Sequence, residues 1–318
     1  MIVEESAAAL RPHLAQPVAT IGNFDGVHRG HQAILARVLE RARELRGTSV
    51  AITFDPHPLK VLAPGRAPDL ITTRRQKLGL IEAAGIDAVL VLPFDAALAA
   101  TSAEEFVEKV LHGALALREV YVGANFNFGR GREGTADTLV ALCAARGMTA
   151  GKVEEVRFLG SPVSSSRIRR AVRAGEVELA SELLGRPFAV EGTVEHGAGR
   201  GKGIGFPTAN LKSRSELVPQ DGVYVTRTLA GRKTLASVTN IGTRPTFADQ
   251  EFAIETHLLD AHLDLYGQPI EVSFLARLRQ ELRFPSVEAL VEQVGRDVER
   301  ARAWFGANPA PQERLPGS

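Results

Sequence analysis

The spacing of apolar positions changes once along the chain, near residue 185, and the change divides it into two parts. In the first part Val18–Ile21 reads as a strand. From His31 to Arg46 the apolar residues Ile34, Leu35, Val38, Leu39, Ala42 and Leu45 fall on one helical face, with Gly47 as the stop. Val50–Phe54, Ala88–Leu92 and Glu119–Val122 are further strand candidates with helices between them, one opened by the capping box Ser102-x-x-Glu105. This alternation predicts βαβ units, hence a doubly wound parallel sheet whose ligands lie at the carboxyl ends of its strands.

Gly185-Arg186-Pro187 ends a short helix (Val177 to Leu184) and reads as the linker. Beyond it Val190–Glu195, Val223–Leu229, Leu235–Asn240, Phe252–Leu259 and Ile270–Leu278 are strand-like, as in a small antiparallel β-barrel. A terminal helix capped by Ser286 follows, apolar at Val287, Leu290, Val291, Val294, Val298, Ala301 and Phe305. The expected division is therefore 1–185 and 186–306, with 307–318 as a disordered Pro-containing tail.

Length and composition agree with two globular halves: 318 residues, 44% of them hydrophobic. The 38 Lys and Arg nearly cancel the 37 Asp and Glu, for a net charge of +1, which argues against a dedicated nucleic-acid binder. No apolar run reaches the length of a membrane span, and the first residues lack a basic leader. A cytoplasmic protein, with no nucleic-acid or membrane partner and no obligate protein partner, is expected. Cys143, the single cysteine, excludes an internal disulfide and any multi-cysteine metal site, and its apolar neighbours point to helix packing.

Directly after the first strand stands Gly22-Asn23-Phe24-Asp25-Gly26-Val27-His28-Arg29-Gly30-His31, opening the first long helix. Gly22, Gly26 and Gly30 permit tight turns and close approach, while free N–H groups and the helix dipole face an anion. His28 and His31, three apart on the first turn, can both donate to one phosphate. A metal-binding or merely solvated pair is the alternative. In Ser164-Ser165-Ser166-Arg167-Ile168-Arg169 the serines Ser165 and Ser166 can cap a helix and Arg169 can fork onto pyrophosphate; the alternative is an ordinary capped helix with a basic solvated face. Asn125 can bond a polar ring edge while Phe126 and Phe128 pack on a flat ligand, or those rings belong to the core. Gly129-Arg130-Gly131-Arg132-Glu133-Gly134 satisfies G-x-G-x-x-G, with Glu154 twenty residues past Gly134, but polar residues separate it from its strand and a dinucleotide fingerprint is discounted.

The second part carries five glycines between Gly197 and Gly205, then Phe206-Pro207-Thr208-Ala209-Asn210. This is no Walker A loop, since Gly203 follows Lys202 where Ser or Thr would stand. Arg200 and Lys202 could still lie near phosphates, with the oxygens of Thr208 and Asn210 as hard ligands for Mg²⁺. In the strand Phe252–Leu259, Glu255 shares a face with His257, and a carboxylate there needs a partner or a task.

Gly22 to His31 resembles the H-x-G-H signature of the nucleotidylyltransferases. With Phe54-Asp55-Pro56-His57-Pro58, Gly123–Gly129 and Ser164–Arg169 it is similar to the bacterial bifunctional riboflavin kinase/FMN adenylyltransferase family. Pro207-Thr208-Ala209-Asn210, Asn240–Phe247 and Ile254–Asp260 resemble that family's kinase motifs in order; the turn Ala261-His262-Leu263 departs from it. The resemblance implies a nucleotidylyltransferase fold joined to a kinase barrel, making FMN from riboflavin and ATP, then FAD from FMN and ATP, with Mg²⁺. It implies catalytic His28, His31, Arg169 and Glu255, the last as general base. Nucleotide would be held by Gly22, Phe24, Asp25, Gly26, Gly30, Ser165, Ser166, Arg200, Lys202, Thr208 and Asn210, and flavin by Asn125, Phe126 and Phe128. A transferase for another phosphate monoester, or a flavin-binding sensor, are the alternatives.

Overall fold

The computed structural model describes residues 1–196, 203, 205–245, 250–261 and 263–309. The chain divides into two compact units, Met1–Ser165 and Ser166–Ser318.

The first unit runs β1 (Ile2–Glu4), α1 (Ala7–Leu10), β2 (Val18–Ile21), α2 (Arg29–Glu44), β3 (Ser49–Asp55), α3 (Pro58–Leu62), α4 (Arg74–Ala83) and β4 (Ala88–Pro93). It continues with α5 (Ala96–Ala100), α6 (Ala103–Phe106) passing into a π-helix to Ala114, β5 (Glu119–Gly123), β6 (Asn127–Phe128), β7 (Gly134–Thr135), α7 (Ala136–Ala144), β8 (Thr149–Val153), β9 (Arg157–Phe158) and β10 (Ser161–Pro162). Six strands form one parallel sheet in the order β1-β4-β3-β2-β5-β8. The four expected strands are its centre. The two missed ones are its edges, where half-exposed residues blur the apolar signal.

Alternate residues of the central strands go to opposite faces. Ile21, Ile52, Leu90 and Val122 join the core under α7 and the π-helix, while Val18, Ala51, Val89 and Tyr121 join the core under α2 and α4. Cys143 is fully buried in the first of these, and burial pushes its thiol up to about 11, in keeping with a packing role. The Ser102–Glu105 capping box forms as expected.

The second unit opens with α8 (Ser165–Arg173) and α9 (Val177–Leu184), followed by β11 (Phe188–Glu195), β12 (Ala209–Ser213), β13 (Gly222–Ala230), β14 (Lys233–Pro245), β15 (Gln250–Leu258), β16 (Pro269–Arg279) and α10 (Val287–Ala307). The six strands close an antiparallel barrel in the order β11-β12-β15-β14-β13-β16. β12 was not expected, because Pro207 and the preceding glycines mask a strand of only five residues. Ile254 and Phe274 are buried among the strands, together with a chain of fully buried hydroxyls. Thr226 bonds Ser237 and Thr239 at 2.8 Å, Thr228 bonds Ser237 at 2.9 Å, and Thr239 bonds Thr256 at 2.9 Å. The hydroxyls serve one another as donors and acceptors, so these buried polar groups are satisfied without charge. Val223, Val225 and Val238 face outward onto α10, which Arg279 pins through Asp297 at 2.7 Å.

The contact division falls before α8, whereas the spacing of apolar residues places the break after α9. The reason is Arg277 on β16. Its guanidinium donates to the carbonyls of Ala174 and Asp221 and to Gln220, and its backbone N–H donates to Glu178. No local pattern announces such a clamp. At the far end α10 extends through Ala307, the first residue of the expected tail; residues 310–318 lie outside those described.

Candidate functional sites in the two units

All four residues of β2 are buried, so the chain leaves the sheet at Gly22 with its backbone fixed. The loop to α2 is held from three sides. Phe24, buried at φ 48°, presses its ring edge on His31 with centroids 5.3 Å apart. A Cβ at Gly22 would stand 3.2 Å from that ring, and Gly26 adopts φ 84°. The buried Asp25 carboxylate accepts the N–H groups of Ile71 at 2.9 Å and Thr72 at 3.2 Å, while the Gly26 N–H donates to the Thr72 hydroxyl. Asp25 thus fastens the loop to the segment before α4, a positioning task distinct from the nucleotide contact the resemblance implies. The Ser165 hydroxyl donates to the Asp25 carbonyl at 3.0 Å. Ser165 is therefore the first helical residue tied back to the loop, and Ser166 is exposed beside it.

His28 is itself the N-cap of α2, its Nδ1 accepting the His31 N–H at 3.3 Å. That assignment places the ring proton on Nε2, which becomes a donor. The His28 and His31 rings stack with centroids 3.6 Å apart, and a Cβ at Gly30 would stand 3.1 Å from the His28 ring. Burial first, then the neighbouring His28 and Lys77, hold the His31 imidazole well below its ordinary range, and its Nδ1 is buried without a hydrogen-bond partner. His31 therefore acts as a neutral ring stacked on His28. Among the described residues no group of three His, Cys, Asp or Glu could hold a metal ion, so the metal-binding alternative for the histidines finds no third ligand.

On the other face of the sheet edge lies a cavity of about 450 Å³, lined by Asn23, Phe54, His57, Phe94, Phe106 and Phe126 among others. Phe126 stacks on Phe128 with centroids 5.4 Å apart, and Phe128 meets Phe106 edge-on, so these rings both pack on the core and wall the cavity. Asn125 donates its side-chain amide to Glu155 at 3.0 Å. His57 caps α3 by accepting the Leu59 N–H at Nδ1, and its Nε2 lies 3.3 Å from the Asn23 side-chain amide nitrogen. The Gly129–Gly134 stretch folds as a tight turn after the two-residue β6, with α7 starting only at Ala136, so it opens no helix as a dinucleotide loop must.

In the second unit register does what loops do in the first. Asn210 on β12 lies directly opposite Glu255 on β15, and Glu255 directly opposite Asn240 on β14. Direct partners share a face, so the three side chains form a polar row across three strands. Ile254 and Thr256 point to the opposite, buried face. His257, on the face of Glu255, has its Nδ1 2.8 Å from the Pro207 carbonyl and meets Phe206 edge-on, which seats the segment carrying Thr208 against β15. Beside it a cavity of about 460 Å³ is lined by Phe206, Pro207, His257, Asp260, Val298 and Arg302, between the loop, the end of β15 and α10. Asn240 was absent from the expected site residues; only register shows that it flanks Glu255. Arg200 and Lys202 lie outside the described residues. Arg169, one turn into α8, is buried at 8% exposure and belongs to the second unit.

A parallel α/β sheet with a phosphate-type loop, joined to a closed barrel with a carboxylate–amide row, defines a nucleotide-handling transferase of two parts. Residues 10–167 match the family model described as FAD synthetase, and residues 184–305 match the one described as riboflavin kinase. The chain is 41% identical over 290 residues to the bifunctional riboflavin kinase/FMN adenylyltransferase of Escherichia coli (strain K12), covering 91% of this chain and 93% of that one. It is 42% identical over 295 residues to that of Pseudomonas fluorescens, with 92% and 94% covered. A solved structure titled as a macrolide-efflux protein from Streptococcus pneumoniae superposes with TM-score 0.87 at 30% identity, covering 96% of this chain and all of that one. The chain belongs to the bifunctional riboflavin kinase/FMN adenylyltransferase family. Among the described residues no helix is long and apolar enough to cross a membrane.

Proposed function

We propose that the chain performs both reactions its family's name states: riboflavin plus ATP to FMN in the barrel, and FMN plus ATP to FAD and pyrophosphate at the sheet. The observation that supports this best is that each unit carries its own polar constellation and is matched by a different one of the two family models. The functional division is 1–185 for adenylyl transfer and 186–306 for phosphorylation, with 307–318 as a tail.

In the barrel, Glu255 takes the proton of the ribityl 5′-hydroxyl as that oxygen attacks the γ-phosphorus and ADP leaves. The cavity is lined by His257, two residues along β15 from Glu255 and on the same face, which supports it as the place from which the hydroxyl is presented. The oxygens of Thr208 and Asn210 suit Mg²⁺, a cation that takes few protein ligands and completes its shell with phosphate and water. When bound, Mg²⁺ neutralises charge on the transferring phosphate. Arg200 and Lys202 are assigned to the phosphates.

At the sheet an FMN phosphate oxygen attacks the α-phosphorus and pyrophosphate departs, with no covalent intermediate. His28 donates through Nε2, and neutral His31 is a second donor to the phosphates. Gly22, Phe24, Asp25, Gly26, Gly30, Ser165 and Ser166 shape the nucleotide site, Arg169 forks onto departing oxygens, and Asn125, Phe126 and Phe128 face the flavin. The setting proposed is the cytoplasm, with riboflavin, FMN and ATP as partners and no obligate protein partner. Incubation with riboflavin and MgATP, followed by chromatography of the fluorescent products, tests the reading: FMN and FAD are both expected, and FMN alone or neither refutes it.

A further inference from the structure

The two faces of the parallel sheet give the first unit a division of labour. The apolar cavity lies on the face of Phe54, Phe106 and Phe128, and the stacked histidines lie on the face covered by α2 and α4. Gly22 and Asn23 sit at the edge between them. A phosphate chain held by the histidines therefore belongs on the α2/α4 side, where His28 and Lys77 face His31.

Lys77, on α4, is half-buried there, and its ammonium has an unusual set of neighbours. Nζ donates to the Thr53 hydroxyl at 3.2 Å and to the carbonyls of Asn23 and Phe54 at 3.4 Å each, all uncharged and all long. Two carboxylates act on it through space, but each has a nearer partner: Asp25 the N–H groups of Ile71 and Thr72, and Asp55 Arg74 at 3.2 Å, which it shares with Glu5. Arg74 adds a like charge, and burial holds the Lys77 ammonium below its ordinary range. An ammonium removed from water without a counter-ion is costly, and the cost is tolerated where a ligand supplies the missing charge. Its contacts lie at the carboxyl ends of β2 and β3, the edge at which such sheets bind their ligands.

We propose that Lys77 is the cationic member of the polyphosphate subsite in the first unit, with the phosphate chain of the nucleotide as its counter-charge. The assignment rests on the adenylyl-transfer reading of that unit. Lys77 complements the histidine pair: the rings give directed donors, and the ammonium gives a fixed positive charge that neutral His31 lacks.

The test uses the full chain with Lys77→Met and Lys77→Arg. Adenylylation of supplied FMN is measured against ATP concentration, together with inhibition by inorganic pyrophosphate, and riboflavin phosphorylation serves as the internal control. Lys77→Met is expected to lower kcat/KM for ATP in adenylyl transfer by about 10–100-fold and to weaken pyrophosphate inhibition in parallel. The KM for FMN, riboflavin phosphorylation and the melting temperature should stay at wild-type values. Lys77→Arg should recover most of the pyrophosphate inhibition. Should the Met variant not fold, Lys77→Gln carries the same comparison. Unchanged pyrophosphate inhibition in a folded, charge-free variant, or an Arg variant as impaired as the Met one, overturns the proposal and leaves Lys77 as a clamp between β2 and β3. A wild-type chain that makes no FAD from FMN and ATP would instead refute the adenylyl-transfer reading itself.

Discussion

In the first unit most of the proposed site sits in ten consecutive residues, Gly22 to His31, and the tertiary structure serves to hold that loop still: Asp25 on Ile71 and Thr72, Phe24 on His31, Ser165 on the Asp25 carbonyl. In the second unit Asn210, Asn240 and Glu255 are as much as 45 residues apart and meet only because three strands pair in one register. A loop site is thus vulnerable to local backbone change and a register site to changes in pairing. A slip of one residue on β15 would turn Glu255 toward the buried hydroxyls and bring Ile254 or Thr256 to the surface.

The sharpest way to break this comparison is Glu255→Gln, which keeps shape and register but removes the basic carboxylate. Riboflavin phosphorylation is expected to fall by about 10²–10⁴ while adenylylation of supplied FMN and the melting temperature are unchanged. An early melt would recast Glu255 as a structural ion-pair partner. Next in size, His28→Ala should cost adenylyl transfer about 10²–10³, because it removes both a donor and the cap of α2, with riboflavin phosphorylation nearly untouched. Equal loss of both activities would show that the loop is not a separate site.

Smaller effects concern stability. Thr239→Val removes a hydroxyl that bonds both Thr226 and Thr256, and chemical denaturation should show a loss of about 1–3 kcal/mol confined to the barrel transition. Because Arg277 ties α8 and α9 to the barrel, a fragment 166–318 should melt above a fragment 187–318, with both phosphorylating riboflavin. Equal melting temperatures would place α8 and α9 energetically outside the barrel unit.

The smallest expected effect belongs to His31. Its folded imidazole titrates below the unfolded value of about 6.5, so the unfolded chain takes up a proton first as pH falls. The stability of the first unit should be undiminished above about pH 6.5 and should decline below it, until the folded ring also protonates. His31→Asn should flatten that slope in denaturation curves between about pH 6.5 and 5, and an unaltered slope would mean the ring is neutral for another reason.

What the sequence determined by itself was whatever depends on neighbours in the chain. The central strands, the helix capped at Ser286, the capping box at Ser102 and the Gly22–His31 loop follow from period, caps and glycines. Each is a local preference that packing reinforces. Tertiary structure decided the rest, for a common reason: the interactions link residues far apart and leave no periodic trace. Asp25 reaches the Ile71–Thr72 segment, Arg277 reaches Ala174 and Glu178, and Asn240 becomes Glu255's neighbour only through cross-strand pairing. Lys77 was hidden for the same reason. On α4 it is one cation among Arg74, Arg75 and Lys77, and only the parallel pairing of β2 with β3 brings its ammonium beneath Asn23 and Thr53, where a solvated charge becomes half-buried without a counter-ion.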